Sequence, residues 1–417
     1  MNLAKTSFYN GIAVVVKMIT MLGLNKILAI YVGPSGYAII GQYQNLIQSL
    51  SAFSAGSLSN GITKYTAEYN ASGRDRVKVW KTAGTISIIL SIIVSLLLGI
   101  FSSYVSQVFF NEKIGEDIII WLAFSFFFMM LNAFFLAILN GMKEVKIYVA
   151  INVAGSFIAL LLTGFLAYYM GIKGALIALS INQSIVLIFT LFIFYRLPWF
   201  RFDYLLGKVN KDIAFGLGRF SIMALVSVIA LPLGQIYVRS IISEAYSWKV
   251  AGYWEAMNRI SSIAITIATT TLTLYYLPRL SEIGTKKEIK NEILHVAKLV
   301  IPITLISCVL VFFLRNTIVS ILFTSDFLPM KDLFYGQLIG DFFKIVSWLF
   351  SFALLAKERW RAFIFCEIAS VFIFISLNYS FSLMTNWQNI CFAYAINYFL
   401  YFCMVFYCFY KTIYVKA

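Results

Sequence analysis

Seven ionisable side chains stand inside long apolar runs of this chain: Lys17, Lys26, Glu255, Arg259, Asp341, Lys344 and Glu367. A charge at the centre of a bilayer costs ~3 kcal/mol on insertion scales, so leaving all seven in lipid would cost on the order of 20 kcal/mol, more than the whole stability of a typical fold. These groups must face water, a ligand or one another. Glu255 and Arg259 are spaced i, i+4 and Asp341 and Lys344 i, i+3, so each pair can meet on one helix face as a self-neutralising pair. Glu367 has no partner on its own helix. That makes it a candidate for titrating a proton or binding a cation, with pairing to Lys344 or Lys17 as the alternative.

Around Lys17, at 100° per residue, Thr6, Asn10, Thr20 and Asn25 form one polar stripe, whereas Lys26 falls on the opposite face and can snorkel. The next run adds a wall of amides and hydroxyls that includes Gln42, Asn45, Gln48, Ser49 and Asn60, too dense for a lipid-facing surface. Lys17, Arg259 and Lys344 lie near mid-depth, and Lys64 and Arg219 near inner helix ends. Such a chamber is electropositive at its mouth and suits a phosphate group, while amides such as Asn45 and Gln48 suit sugars.

Other chemistries find no support. The single histidine, His295, sits in a charged stretch, and the five cysteines fall in apolar runs without a CxxC pair, so neither disulfides, a metal site nor a nucleophile–base pair is expected. No catalytic residue, metal or cofactor is assigned, and there is no GxxxxGK[ST] phosphate loop. Pro232 and Gly234 in the seventh run and Pro302 in the ninth are read as possible kinks or packing irregularities. The aromatic stretches 124–128 and 394–410 are read as lipid-facing packing and interface belts.

The elements that must position these groups follow from composition. Of 417 residues, 61% are hydrophobic, 17% aromatic and only 12% charged, with a net charge of +15 and a mean hydropathy of +0.86. That is an all-α membrane protein, and the basic balance belongs to its loops and not to a nucleic-acid partner. A span needs about 20 apolar residues, and the chain offers twelve: 8–31, 37–63, 82–107, 118–139, 147–169, 175–195, 220–242, 250–277, 299–314, 333–355, 362–380 and 390–410. Residues 1–195 are expected to form one six-helix bundle and 220–417 a second, joined by a basic, aromatic interfacial linker at 196–219 that acts as a hinge.

Similar offsets relate the halves. A shift of 211 lays Gly41, Ser51 and Gly73 on Gly252, Ser262 and Gly284, and a shift of 214 lays Lys143-Glu144 on Lys357-Glu358. Halves with an even number of spans share one orientation, so parallel repeats around a central cavity, rocking to give alternating access, are expected. The N-terminus and even-numbered connections hold 23 Lys or Arg against six in the odd-numbered ones, Arg239 among the six. Both termini are therefore expected in the cytoplasm. The outer loops are too short for a glycan polymerase, ligase or acyltransferase. A drug or cation antiporter would want a carboxylate where the first helix has Lys17.

Several segments resemble the Wzx-type flippases, the polysaccharide-exporter branch of the multidrug/oligosaccharidyl-lipid/polysaccharide superfamily. They are Met1-Asn2-Leu3-Ala4-Lys5, Gly33-Pro34-Ser35-Gly36, Asn60-Gly61-Ile62-Thr63-Lys64-Tyr65, Tyr246-Ser247-Trp248, Leu277-Pro278-Arg279-Leu280-Ser281, and Met330-Lys331-Asp332-Leu333-Phe334 through to Asp341 and Lys344. Within that family the chain is most similar to the members that move the lipid-linked trisaccharide of enterobacterial common antigen. The resemblance implies a flippase of the bacterial inner membrane that turns an undecaprenyl-diphosphate-linked oligosaccharide, an O-antigen or common-antigen unit, from the cytoplasmic to the periplasmic leaflet. A polysaccharide polymerase and a chain-length regulator are implied partners, beside membrane lipids. Lys64, Asp341, Lys344 and Glu367 carry over as cavity residues, whereas Arg259 rests on spacing alone.

Overall fold

The computed structural model of the chain describes residues 3–52, 55–70, 72–111 and 113–411. Among these, every long element is a helix, as expected where backbone groups must be satisfied without water. Two helices, α1 (Leu3–Ala52) and α6 (Val145–Tyr195), run to 50 and 51 residues, about twice what one crossing needs. Each is broken once by a glycine: Gly33 at φ 66°, ψ −178° and Gly171 at φ 57°, ψ −134°. Positive φ is open to glycine at little cost, and at the first break Pro34 follows, with its fixed φ and missing N–H suited to restarting a helix.

With those breaks, the helices reproduce the twelve expected spans. The second span is covered by the second limb of α1 with α2 (Ala55–Glu68), and the third by α3 (Gly73–Ile100) with α4 (Ser102–Phe110). There follow α5 (Glu116–Gly141), the two limbs of α6, α7 (Lys211–Ala245) and α8 (Trp248–Thr271). After a π-helical turn at Leu272–Tyr276 come the short α9 (Leu277–Glu282), then α10 (Lys286–Leu322), α11 (Phe334–Ala356), α12 (Trp360–Ser382) and α13 (Ile390–Phe409). α7 and α10 continue as helix through Pro232 and Pro302, so the breaks fall at glycines and not at the prolines.

The chain forms two compact units, Met1–Val32 with Ile39–Leu233, and Gly33–Ala38 with Gly234–Ala417. The core of the first is centred on Trp80, which is fully buried and donates its indole N–H to Thr66 at 3.0 Å. Trp199, Phe200 and Tyr204 from the segment after α6 close on that ring with centroids 5.8, 5.8 and 6.1 Å away. This connection is docked on one face, while Phe202, Leu206 and Val209 remain exposed on the other, an arrangement suited to a headgroup layer. The second unit's core gathers Trp254, Tyr276, Leu349, Leu354 and Phe374.

A repeat is visible in local geometry. After α5, Lys143 sits at φ 60°, with its N–H bonded to Asn140 O at 3.1 Å and that of Glu144 to Leu139 O at 3.0 Å. After α11, Glu358 sits at φ 55°, with its N–H bonded to Leu355 O at 3.0 Å and that of Arg359 to Leu354 O at 2.8 Å. Both are the left-handed C-terminal motif with paired 5→2 and 6→1 bonds, each formed around a non-glycine residue. The structural offset is one residue longer than the Lys-Glu alignment.

Gly171→Ala forces a Cβ into a conformation that costs about 1–3 kcal/mol for other residues. Thermal unfolding of the purified variant in detergent is expected at a midpoint several degrees lower. Gly99→Ala, in helical φ/ψ with open space around it, is expected to leave the midpoint unchanged or slightly raised.

Candidate functional site

In the second unit, the buried charges of α7 and α8 form one group. Glu255 accepts from Arg239 Nη2 at 2.5 Å and from Arg259 Nε at 3.0 Å, with the three side chains 10%, 1% and 9% exposed respectively. The i, i+4 pairing read from sequence is therefore made, with a second arginine added. Arg239 is not a loop cation, as its place among the odd-numbered connections assumed, but the most deeply buried charge of the group. The extra positive charge is shared between two aromatic faces: Arg259 stands 4.6 Å from the Tyr37 centroid and Arg239 5.5 Å from that of Trp254, both cation–π distances.

Two residues beyond Arg259 on α8, Ser261 starts a second network. Its hydroxyl donates to Asp341 at 2.6 Å and accepts from Gln337 Nε2 at 3.0 Å, while Tyr394 Oη donates to the other Asp341 oxygen at 2.8 Å. Asp341 is 3% exposed. A carboxylate there is stabilised by two hydroxyl donors in place of a cation. Lys344 makes no direct ion pair with it among the described residues, although its charge acts on both Asp341 and Glu367. It lies half-buried, 4.6 Å from the Tyr398 ring centroid and 5.9 Å from that of Tyr394. Glu367 accepts from Tyr401 Oη at 2.5 Å, and that hydroxyl also meets Ser351 at 2.9 Å.

Tyr394, Tyr398 and Tyr401 thus turn one face of α13 into a row of hydroxyls and rings for Asp341, Lys344 and Glu367. Close approach of α11 permits this: a Cβ on Gly340 would collide with the Tyr394 ring, and one on Gly336 with the Cys391 backbone. The segment Gly336-Gln-Leu-Ile-Gly340 is a small-xxx-small helix contact.

The remaining candidates are in the first unit. Lys17 is exposed and borders a pocket of about 440 Å³ shared by α1, α5 and α6. Thr20 returns its hydroxyl to Val16 O at 2.9 Å, and Asn25 is buried. Of the polar wall, Gln42 is fully buried and reaches Phe109 O at 3.1 Å. Asn45 is 8% exposed, and Gln48 is exposed. Lys64 is exposed on α2, 5.5 Å from the Tyr65 ring. Ser54, Met1, Asn2, Lys416 and the side chains of Thr6, Asn10, Ser57 and Arg219 lie outside the described residues.

Kinked helices in two compact units, with carboxylates, cations and amides inside the spans, define a multi-pass membrane protein with polar sites at bilayer depth. The chain belongs to the polysaccharide biosynthesis protein family, whose profile matches residues 3–284. It is 27% identical over 374 residues to the lipid III flippase of Escherichia coli (strain K12), a match covering 88% of this chain and 89% of that protein, and to the same extent to the lipid III flippase of Shigella flexneri. Among solved structures it resembles an inward-facing multidrug resistance MATE family transporter of the MOP superfamily, with a TM-score of 0.78 and 14% identity over 96% of each chain. It also resembles the lipid II flippase MurJ in an inward closed conformation, with a TM-score of 0.73 and 15% identity over 97% of this chain and 87% of that one. These two likenesses are of fold.

Removing the carboxylate of the arginine–glutamate group leaves two buried cations uncompensated, which costs about 3–5 kcal/mol for comparable pairs. Glu255→Gln is expected to abolish or sharply lower the yield of monodisperse protein in detergent. Replacing Arg239, Glu255 and Arg259 together by methionine is expected to recover most of that yield. Size-exclusion profiles of the two variants check both outcomes.

Proposed function

We propose that this protein is a flippase that carries an oligosaccharide linked to undecaprenyl diphosphate from the cytoplasmic to the periplasmic leaflet by alternating access. The observation that carries this reading is the similarity to two proteins named lipid III flippase, sustained over nearly nine-tenths of the chain. The protein is accordingly a transporter and not an enzyme, and its ligands are a lipid-linked oligosaccharide and the surrounding lipids. We place it in the bacterial inner membrane with both termini in the cytoplasm, on the strength of the positive-inside bias. The repeated left-handed turns support two six-helix halves, 1–195 and 220–417, joined by 196–219. A polysaccharide polymerase and a chain-length regulator are the partners that would take up the product.

In this reading Lys17, Lys64, Arg219 and Lys344 draw in the anionic head, while Asn45 and Gln48 contact sugar. Lys344 is suited to the task because no carboxylate neutralises it at ion-pair distance. Arg259, already held by Glu255, contributes field more than contact. Asp341 and Glu367, each bonded to hydroxyls alone, are the groups able to take up and release a proton, so an ion gradient is the driving force.

Expression in a flippase-deficient strain is expected to restore surface glycan. Lys17→Ala and Lys344→Ala, made at normal levels, are expected to lower that restoration at least tenfold. Full restoration by both variants contradicts the assigned cations. Resistance to cationic drugs without any restored glycan favours an antiporter instead.

A further inference from the structure

The pocket beside Lys17 is built from groups the reading above leaves unused. From α6 come Tyr148, Asn152 and Ser156 on the first limb and Asn182 and Gln183 on the second. Its volume of about 440 Å³ falls in the ordinary range of small-molecule sites, about 300–1,000 Å³. All of these residues belong to the first compact unit.

The polar atoms are held in set orientations by their neighbours. Thr190 Oγ1 donates to Asn132 Oδ1 at 2.8 Å, and Asn132 Nδ2 donates to Gln183 Oε1 at 2.8 Å. That relay uses the carbonyl of Gln183 and leaves its Nε2 as a donor. Asn152 Nδ2 donates one of its two hydrogens to Tyr148 O at 2.8 Å, which orients its carbonyl oxygen as an acceptor. Asn182 keeps a buried carbonyl oxygen with no hydrogen-bond partner among the described residues. Lys17 is exposed and makes no ion pair among the described residues. At bilayer depth such a set is expensive to leave unmade.

The geometry points to a saccharide subsite in the first unit: a sugar ring whose hydroxyl or acetamido groups bond to Gln183 and Asn152, with Lys17 holding a negative charge beside it. A pre-oriented amide donor set next to an acceptor amide suits vicinal hydroxyls and amide substituents, which present both donor and acceptor. A diphosphate alone offers only acceptors and would leave the Asn152 carbonyl unmet. This inference rests on the flippase reading and adds where the glycan is recognised. The charge at Lys17 has two sources, the linking diphosphate or a carboxylate on the sugar.

The test is binding to the full-length protein in detergent, by microscale thermophoresis, of three probes: farnesyl diphosphate, farnesyl diphosphate bearing a neutral N-acetylhexosamine disaccharide, and the same lipid bearing a disaccharide with a uronic acid. Wild-type protein is expected to bind the sugar-bearing probes at least tenfold more tightly than farnesyl diphosphate. Gln183→Leu and Asn152→Leu are expected to erase that gain while leaving farnesyl diphosphate binding within threefold, with Ser156→Ala as a milder substitute should either fail to yield monodisperse protein. Lys17→Gln weakening only the uronic acid probe assigns the carboxylate, and weakening all three assigns the diphosphate. Absence of any gain from the sugar in the wild type, or a gain that survives the Gln183 and Asn152 substitutions, overturns the subsite. A Lys17→Gln variant that binds all three probes like wild type removes Lys17 from it. A chain that restores surface glycan in cells yet shows no sugar gain rejects the subsite and keeps the flippase reading, whereas a chain that does neither rejects both.

Discussion

The constraint on which this structure turns is that the bilayer interior offers no water to a polar group. Each hydroxyl, amide and charge inside a span must find its partner within the chain, in water that the chain admits, or in what the chain carries. The simplest solutions are local: Thr20, Ser49 and Thr269 return their hydroxyls to carbonyls of their own helices. Charges need more. Glu255 is satisfied only because α7 and α8 each bring it an arginine, and Asp341 only because hydroxyls arrive from α8 and α13.

Those demands explain features that would be odd in a water-soluble helical protein. Glycines at positive φ break α1 and α6 where one helix must become two spans. Gly336 and Gly340 bring α11 against α13 so closely that a tyrosine hydroxyl can reach an aspartate. The aromatic residues divide by role. Phe124, Leu161 and Phe313 point outward as a lipid-facing surface, whereas Tyr394, Tyr398 and Tyr401 serve buried ionisable groups.

The spans were legible in the sequence because an apolar run some 20 residues long matches the thickness of a bilayer and little else. The Glu255–Arg259 pair was legible because i, i+4 spacing is a property of one helix. Arg239 was counted with the connections although it lies inside the seventh run, 220–242; its pairing with Glu255 had no signal, because spacing along one helix says nothing about which helices pack. The Asp341–Lys344 pairing permitted by spacing gave way to Ser261 and Tyr394, closer donors that no periodicity in α11 reveals. The i, i+4, i+7 spacing of the three tyrosines was a usable signal, masked by the aromatic abundance of that run. The Asn132–Gln183 relay joins residues 51 apart and had no signal at all.

What distinguishes the two units chemically is the state of their cations. In the second, Arg239 and Arg259 share the single carboxylate of Glu255 and each stands over an aromatic ring, as does Lys344. In the first, Lys17 stands in a polar pocket without a carboxylate. On the flippase reading proposed above, Lys17 is the cation that the transported head would meet. The direct measurement is the rate at which a cationic methanethiosulfonate labels Lys17→Cys in a background where the five native cysteines are replaced by serine or alanine. The account predicts ready labelling that slows severalfold when lipid-linked oligosaccharide is added. A cysteine at 17 that never labels, or that labels at the same rate with the substrate present, contradicts it.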